Sequence, residues 1–128
     1  MAKYADEIKV HLAGAETHLQ AARDLFIQGK YDPAVARAAE SALHAGSALL
    51  LDEEIETSKP EDVVTLVHQV FVNGRRLTQE QGEKLSWLFQ LGKAQKSEEA
   101  VPLIAGEVQK AVEFAESFLE ATRIILEA

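Results

Sequence analysis

The sequence predicts an all-α protein, an up-and-down bundle of four or five helices. Three observations carry that expectation. Apolar residues recur in steps of three and four along most of the chain, the spacing that draws one stripe down a helix. No segment alternates apolar and polar residues as a half-buried strand would, and nothing repeats at a fixed period. Pro33, Pro60 and Pro102 all stand near the starts of segments, so long uninterrupted stretches are free to be helical.

Ile8, Leu12, Ala15, Leu19, Ala22 and Phe26 form the stripe of a first helix, which Gly29 stops. Asp32 is placed to cap a second helix, with Pro33 in the first turn, where its missing N–H leaves no bond unmade. Val35, Ala38, Ala42, Ala45 and Leu49 are its seam, and so much alanine lets a neighbouring helix come close. The short connection 28–32 sets these two helices antiparallel. The acidic residues from 52 to 57 read as a solvated connection, and Ser58, Lys59 and Pro60 as the entrance to a third helix. That helix carries Val63, Leu66, Val67, Val70 and Phe71 and ends at Asn73 and Gly74. Thr78 and Gln81 spell a capping box, hydroxyl and amide each satisfying an orphan backbone donor. A short fourth helix bears Leu85, Leu88 and Phe89 and stops at Gly92.

Ser97, Glu98 and Glu99 read as the start of the last helix, with carboxylates at its positive end. Val101, Ala105, Val108, Val112, Ala115, Leu119, Thr122, Ile125 and Leu126 keep helical spacing along it. Pro102 lies deep for a first turn, so the regular helix is expected to begin later than Ser97. Gly14, Gly46 and Gly106 fall inside predicted helices, where glycine costs about 1 kcal/mol against alanine. Close helix contact is the expected reason for each.

The 128 residues suit one domain, spanning 1–128. With no cysteine there is no disulfide, thiolate metal site or cysteine nucleophile. Thirteen basic against 21 acidic residues give a net charge of −8, which argues against tight DNA binding. No apolar run approaches the roughly 18–20 residues that span a bilayer, and the N-terminus turns acidic at once, unlike a secretory signal. The expectation is a soluble cytoplasmic protein with no membrane association.

Several chemistries are excluded by spacing. A di-iron bundle needs Glu-x-x-His on two helices, but three residues before the four histidines stand Ile8, Ala15, Ser41 and Thr65. His-Glu-x-x-His, a phosphate-cradling glycine loop and Gly-x-Ser-x-Gly are also absent. No metal and no cofactor is expected. His11 and His18 share a face of the first helix roughly 10 Å apart, too far to bind one metal directly, and read as flank residues near the surface or a subunit contact. Arg37 and His44 project opposite the seam of the second helix, with Glu40 between them. As an i,i+4 neighbour, Glu40 should raise the proton affinity of His44. An arginine beside a histidine is able to cut RNA, one holding phosphate while the other moves a proton; the plainer reading is a solvated polar face. Between Asn73 and Ser97 the charge reverses, with Arg75, Arg76, Lys84, Lys93 and Lys96 against Glu80 and Glu83. These basic groups flank the short helix, and the expectation is that they converge on one edge able to receive a nucleotide phosphate or an acidic partner. Trp87, beside the apolar face of that helix, is an interface anchor if exposed and core if buried.

Leu25 to Ala34 reads Leu-Phe-Ile-Gln-Gly-Lys-Tyr-Asp-Pro-Ala, followed by Ala38, Ala39, Ala42, Ala45 and Ala48-Leu49-Leu50. This block resembles the opening of the HEPN domain family, a helix ending before Gly-x-Tyr and then an alanine-rich helix closing in Ala-Leu-Leu. His68 with Phe71, the run Leu85 to Phe89, and Ser97 to Ala100 are similar to later family segments, so the resemblance runs from about Ala15 to Thr122. It implies a HEPN-like bundle of four or five helices, usually a dimer, tied to nucleotide or RNA chemistry in prokaryotes. It further implies pairing with a minimal nucleotidyltransferase. Active members resemble one another in an Arg-x(4–6)-His ribonuclease motif late in the bundle; others carry an arginine and then Ala-Asp-Tyr after a Leu-Phe helix. Here Gly92 or Lys93 stands where that arginine is expected, Gln95 and Lys96 replace Asp-Tyr, and no histidine follows His68.

The expected function is therefore that of a noncatalytic HEPN-like module that binds a nucleotide or a nucleotidyltransferase partner, of the toxin–antitoxin or substrate-binding-subunit type, as a homodimer. Its binding residues would be Arg75, Arg76, Lys93, Lys96 and His68. The alternatives are a metal-independent ribonuclease using Arg37 and His44, and a purely structural dimeric bundle.

Overall fold

A computed structural model describes residues 3–127. Among them it has no strand and five α-helices: α1 (Ala5–Ile27), α2 (Tyr31–Asp52), α3 (Pro60–Val67), α4 (Gln79–Ala94) and α5 (Ala105–Glu127). A π-helical turn, His68–Val72, continues α3.

Burial follows the stripes. Ala15, Leu19 and Ala22 of α1 and the whole seam of α2 are closed to solvent, as are Val67, Phe71, Leu85, Leu88, Val108, Ala115 and Leu119. α2 lies at the centre and packs against all four other helices. Its alanines bring α1 close enough for the buried Ser41 Oγ to donate to the Ala15 carbonyl at 2.7 Å. α1 and α5 are joined antiparallel by Arg23–Glu116 and Arg123–Glu16 at 2.7 and 2.5 Å. α4 runs antiparallel to α5, with Trp87 edge-on to Phe114.

Three helices end in the same way. After α1, Lys30 N–H reaches the Leu25 carbonyl and Gly29 N–H the Phe26 carbonyl, the Schellman pattern, with Gly29 at φ 76°. After α2 and after the π-helical turn the same two bonds recur, but Glu54 (φ 58°) and Arg75 (φ 62°) occupy the left-handed position. A side chain there pays roughly 1–2 kcal/mol, partly offset by the extra chain entropy glycine loses on folding. Glu54→Gly is therefore expected to raise unfolding stability by about 0.5–1 kcal/mol; a urea midpoint at or below that of the parent would contradict it.

Several boundaries differ from expectation. α2 opens at Tyr31, with Lys30 as N-cap and no side-chain cap, so Asp32 lies in the first turn and acts on the helix dipole instead. Thr78 does cap α4, its hydroxyl accepting from Gln81 N–H at 3.1 Å. The reciprocal half of the box is not made: the Gln81 amide donates to Ser117 of α5 at 3.2 Å. α4 passes through Gly92 to Ala94, because Gly92 faces Ala39 of α2 and serves close packing rather than termination. α5 begins at Ala105, not Ser97. Pro102 interrupts the segment, Ser97 Oγ instead accepts from Glu99 N–H in a turn, and Val101 and Ala105 are exposed. Gly14 and Gly46 face His44 and Val63 closely, as close contact requires, whereas Gly106 meets nothing within 4 Å.

Candidate functional site

The antiparallel register of α1 and α2 brings together residues that are 19 to 33 positions apart. His44 of α2 enters between His11 and His18 of α1. Its ring centroid lies 5.2 Å from that of His11 and 5.1 Å from that of His18, the latter pair stacked at 15°. Gly14 makes the room: a Cβ there would lie 3.3 Å from the His44 ring. The Nδ1 atoms of His11 and His44 are 2.9 Å apart, so one ring donates and the other accepts. At the other end of the array, His18 Nδ1 lies 3.0 Å from Arg37 Nη1 and 3.2 Å from Glu40 Oε2. The arrangement therefore unites His11, His18, Arg37, Glu40 and His44, which the sequence divided between two unrelated faces. Glu40 contacts His18 rather than His44.

The protonation of His44 is opposite to expectation. Burial, then the fields of His11 and His18, push its pKa below the ordinary imidazole value, and the smaller pull of Glu40 does not reverse this. Burial alone lowers His11. The unfolded chain thus takes up protons more readily at these positions than the folded one. Stability that both rings supply above about pH 6.5 is lost as pH falls through their depressed folded values. The melting temperature of the parent should consequently fall more between pH 7.5 and 5.5 than that of His44→Gln. Equal falls in the two proteins would contradict this origin.

Among the clefts that flank the array, two share Glu40, Leu43 and Pro60. One, of about 310 Å³, lies between α1, α2 and the α2–α3 connection, with His11, His44, Ser47, Thr57 and Ser58 in its walls. The other, about 80 Å³, lies between α2 and the end of α4, where Phe89, Lys93 and Lys96 join Ala39 and Glu40. Lys93 Nζ stands 5.4 Å from the Phe89 ring centroid. Neither Lys93 nor Lys96 is ion-paired with a carboxylate among the described residues.

The other basic residues are elsewhere and largely engaged. The 16 residues of α4 separate its two flanking turns by about 24 Å, so the two basic turns do not converge on one edge. Arg76 pairs with Glu53, lies 3.8 Å from Asp52 and covers the Phe71 ring at 4.7 Å. Arg75 is exposed in its strained turn beside it. Lys84 is mostly buried, held by Ser117 at 3.1 Å and Glu80 at 3.4 Å. His68 packs over Gly82 and meets Ser86 Oγ at 2.8 Å, inside the α3–α4 contact rather than at a basic surface. Trp87 is half-buried, with Lys110 over its ring at 4.7 Å. Among the described residues no group of three or more His, Asp or Glu side chains is arranged to hold a metal ion, and no helix is long and apolar enough to cross a membrane.

Two comparisons complete the picture. No curated protein matches the chain. The family model described as HEPN domain matches residues 8–125.

Proposed function

The chain belongs to the HEPN domain family, and from that membership and a cleft whose two lysines make no ion pair among the described residues we propose that it is a noncatalytic module that binds a phosphate-bearing ligand, a nucleotide in the first instance. The observation that carries this reading is the Lys93–Lys96 cleft. Lys93 stands over an aromatic ring, Phe89, and it and Lys96, neither ion-paired among the described residues, line a small, mostly apolar recess. Phosphate answers the lysines, and a base or ribose can lie on the ring and the Leu43–Pro60 wall. Arg75, Arg76 and His68 are not part of this site. The family resemblance supplies the candidate macromolecular partners, a second copy of the chain and a nucleotidyltransferase.

A thermal-shift screen of nucleoside mono-, di- and triphosphates tests the reading. A ligand that binds only the folded state at 100 times its Kd adds about 2.7 kcal/mol, several degrees on a domain of this size. The shift should vanish in the Lys93→Ala/Lys96→Ala variant. No shift with any nucleotide would overturn the nucleotide reading and turn attention to the nucleotidyltransferase.

One observation favours a second reading, RNA cleavage by Arg37 and His44. In the His11–His44 pair the donating ring keeps a bare Nε2, a base, while the accepting ring carries its proton on Nε2. RNA cleavage that is unchanged in His44→Ala would remove this alternative.

A further inference from the structure

We infer that ligand binding at the Lys93–Lys96 cleft is proton-linked, because His18 passes between Arg37 and Glu40 and thereby sets the charge that Glu40 presents to the cleft. The inference rests on the anion-binding reading above. Its basis is a conflict at one atom. His18 Nδ1 lies 3.0 Å from a guanidinium nitrogen of Arg37 and 3.2 Å from a carboxylate oxygen of Glu40. Arginine only donates and an ionised glutamate only accepts, so a single imidazole nitrogen satisfies one of them at a time. With His18 neutral and its proton on Nε2, the bare Nδ1 accepts from Arg37, and Glu40 is left facing a lone pair. With His18 protonated, Nδ1–H donates to Glu40 and opposes the Arg37 N–H groups, which are released.

Glu40 converts that exchange into a binding effect because it lines the lysine cleft as well as the histidine array. A carboxylate with no partner repels an anionic ligand held by Lys93 and Lys96. The same carboxylate bonded to an imidazolium does so far less. The charged and titratable groups around His18 are Arg37, Glu40 and His44 of α2, with His11 of its own helix beyond His44. Lys93 and Lys96 of α4 stand on the far side of Glu40. His44 is stacked on His18, and burial disfavours its charged form, so His44 does not add a second imidazolium to the Arg37 guanidinium already opposite that ring.

The test needs a ligand whose own charge is constant. The thymidine dinucleotide carries one phosphodiester charge from pH 5.5 to 8.0 and has no 2′-hydroxyl to be cleaved. Titration calorimetry on the full chain should give about three- to tenfold tighter binding at pH 5.5 than at pH 8.0, the effect of one nearby charge in a partly solvated cleft. Glu40→Gln should bind at pH 8.0 as tightly as the parent at pH 5.5, with no pH dependence left. His18→Gln should be equally flat but weak. Glu40 is exposed and His18 is mostly covered by its neighbours, and circular dichroism verifies that the variants fold. A pH ratio that persists in Glu40→Gln overturns the linkage while leaving the binding module standing. Absence of binding at either pH, or binding indifferent to Lys93→Ala/Lys96→Ala, overturns the module and the linkage together. Nitrogen-15 shifts of the imidazoles give a ligand-free readout. Neutral His18 should carry its proton on Nε2, and finding it on Nδ1 would overturn the exchange.

Discussion

Phe118→Ala is expected to lower unfolding stability by about 3–5 kcal/mol. Among the described residues Phe118 and Phe71 are the two largest side chains wholly closed to solvent. Phe118 sits on α5, which packs against α1, α2 and α4, so the space it vacates is walled by several elements that cannot all collapse inward. Its carbonyl also accepts from the buried Thr122 hydroxyl at 2.9 Å, which holds the local turn of α5 in place. Domains of this size are stable by roughly 5–15 kcal/mol, so the variant should be partly unfolded near physiological temperature. Phe118→Leu keeps much of the volume and should cost about a third as much. Urea midpoints of the three proteins decide the matter; a loss below about 1 kcal/mol for the alanine variant would mean that α5 repacks freely.

Much of the bundle was legible because its seams are regular. The α2 positions from Val35 to Leu49 keep one strict spacing, and each is fully buried. Phe118 lies off the regular row. The stripe of α5 was traced through Val112, Ala115 and Leu119 as a single row, but this helix is buried on a wider arc that also takes in Ala111 and Phe118. Helix ends were less legible. Asp32 and Ser97 have the chemistry of caps, yet neither caps a helix, because Pro102 and the register of Tyr31 decide where helical backbone begins. Gly92 resembles a stop signal, and only the distance to Ala39 reveals it as a contact.

The site was legible in parts and not as a whole. His11 and His18 were recognised as sharing a face, as were Arg37 and His44, and the antiparallel pairing of their helices was expected. Combining the two was the missing step. In an antiparallel pair His44 falls opposite the segment between His11 and His18, and Gly14, with no side chain, marks where a ring can enter. The proton preference of His44 is not legible in the sequence, because spacing on one helix counts Glu40 and omits the burial and the two histidines supplied by the other. The basic patch was overestimated because sequence proximity in the turns says nothing of the carboxylates Glu53 and Asp52, which arrive from α2 to engage Arg76.

Gly92→Arg places an arginine at one of the two positions, 92 and 93, where the family resemblance implies one, and its predicted effect is a loss of about 3 kcal/mol, with no gain of ligand binding. A Cβ at Gly92 would already lie 3.0 Å from the Ala39 Cβ, closer than ordinary contact, and that neighbour is a methyl group with no rotamer to yield. Gly92→Ala should therefore be near neutral, since a helix-propensity gain of about 1 kcal/mol opposes the crowding. The arginine adds a long charged chain at a buried position between α2 and α4, already flanked by the ammonium groups of Lys93 and Lys96, and Glu40 across the cleft is the carboxylate in the same wall. Had the helices been set wider, position 92 could have carried the arginine. With Ala39 and Gly92 in contact, the positive charge of this turn moves to Lys93 and Lys96, at the rim of the cleft rather than inside it. A Gly92→Arg protein as stable as the parent would show that α4 is free to shift, and would make position 92 a candidate ligand contact.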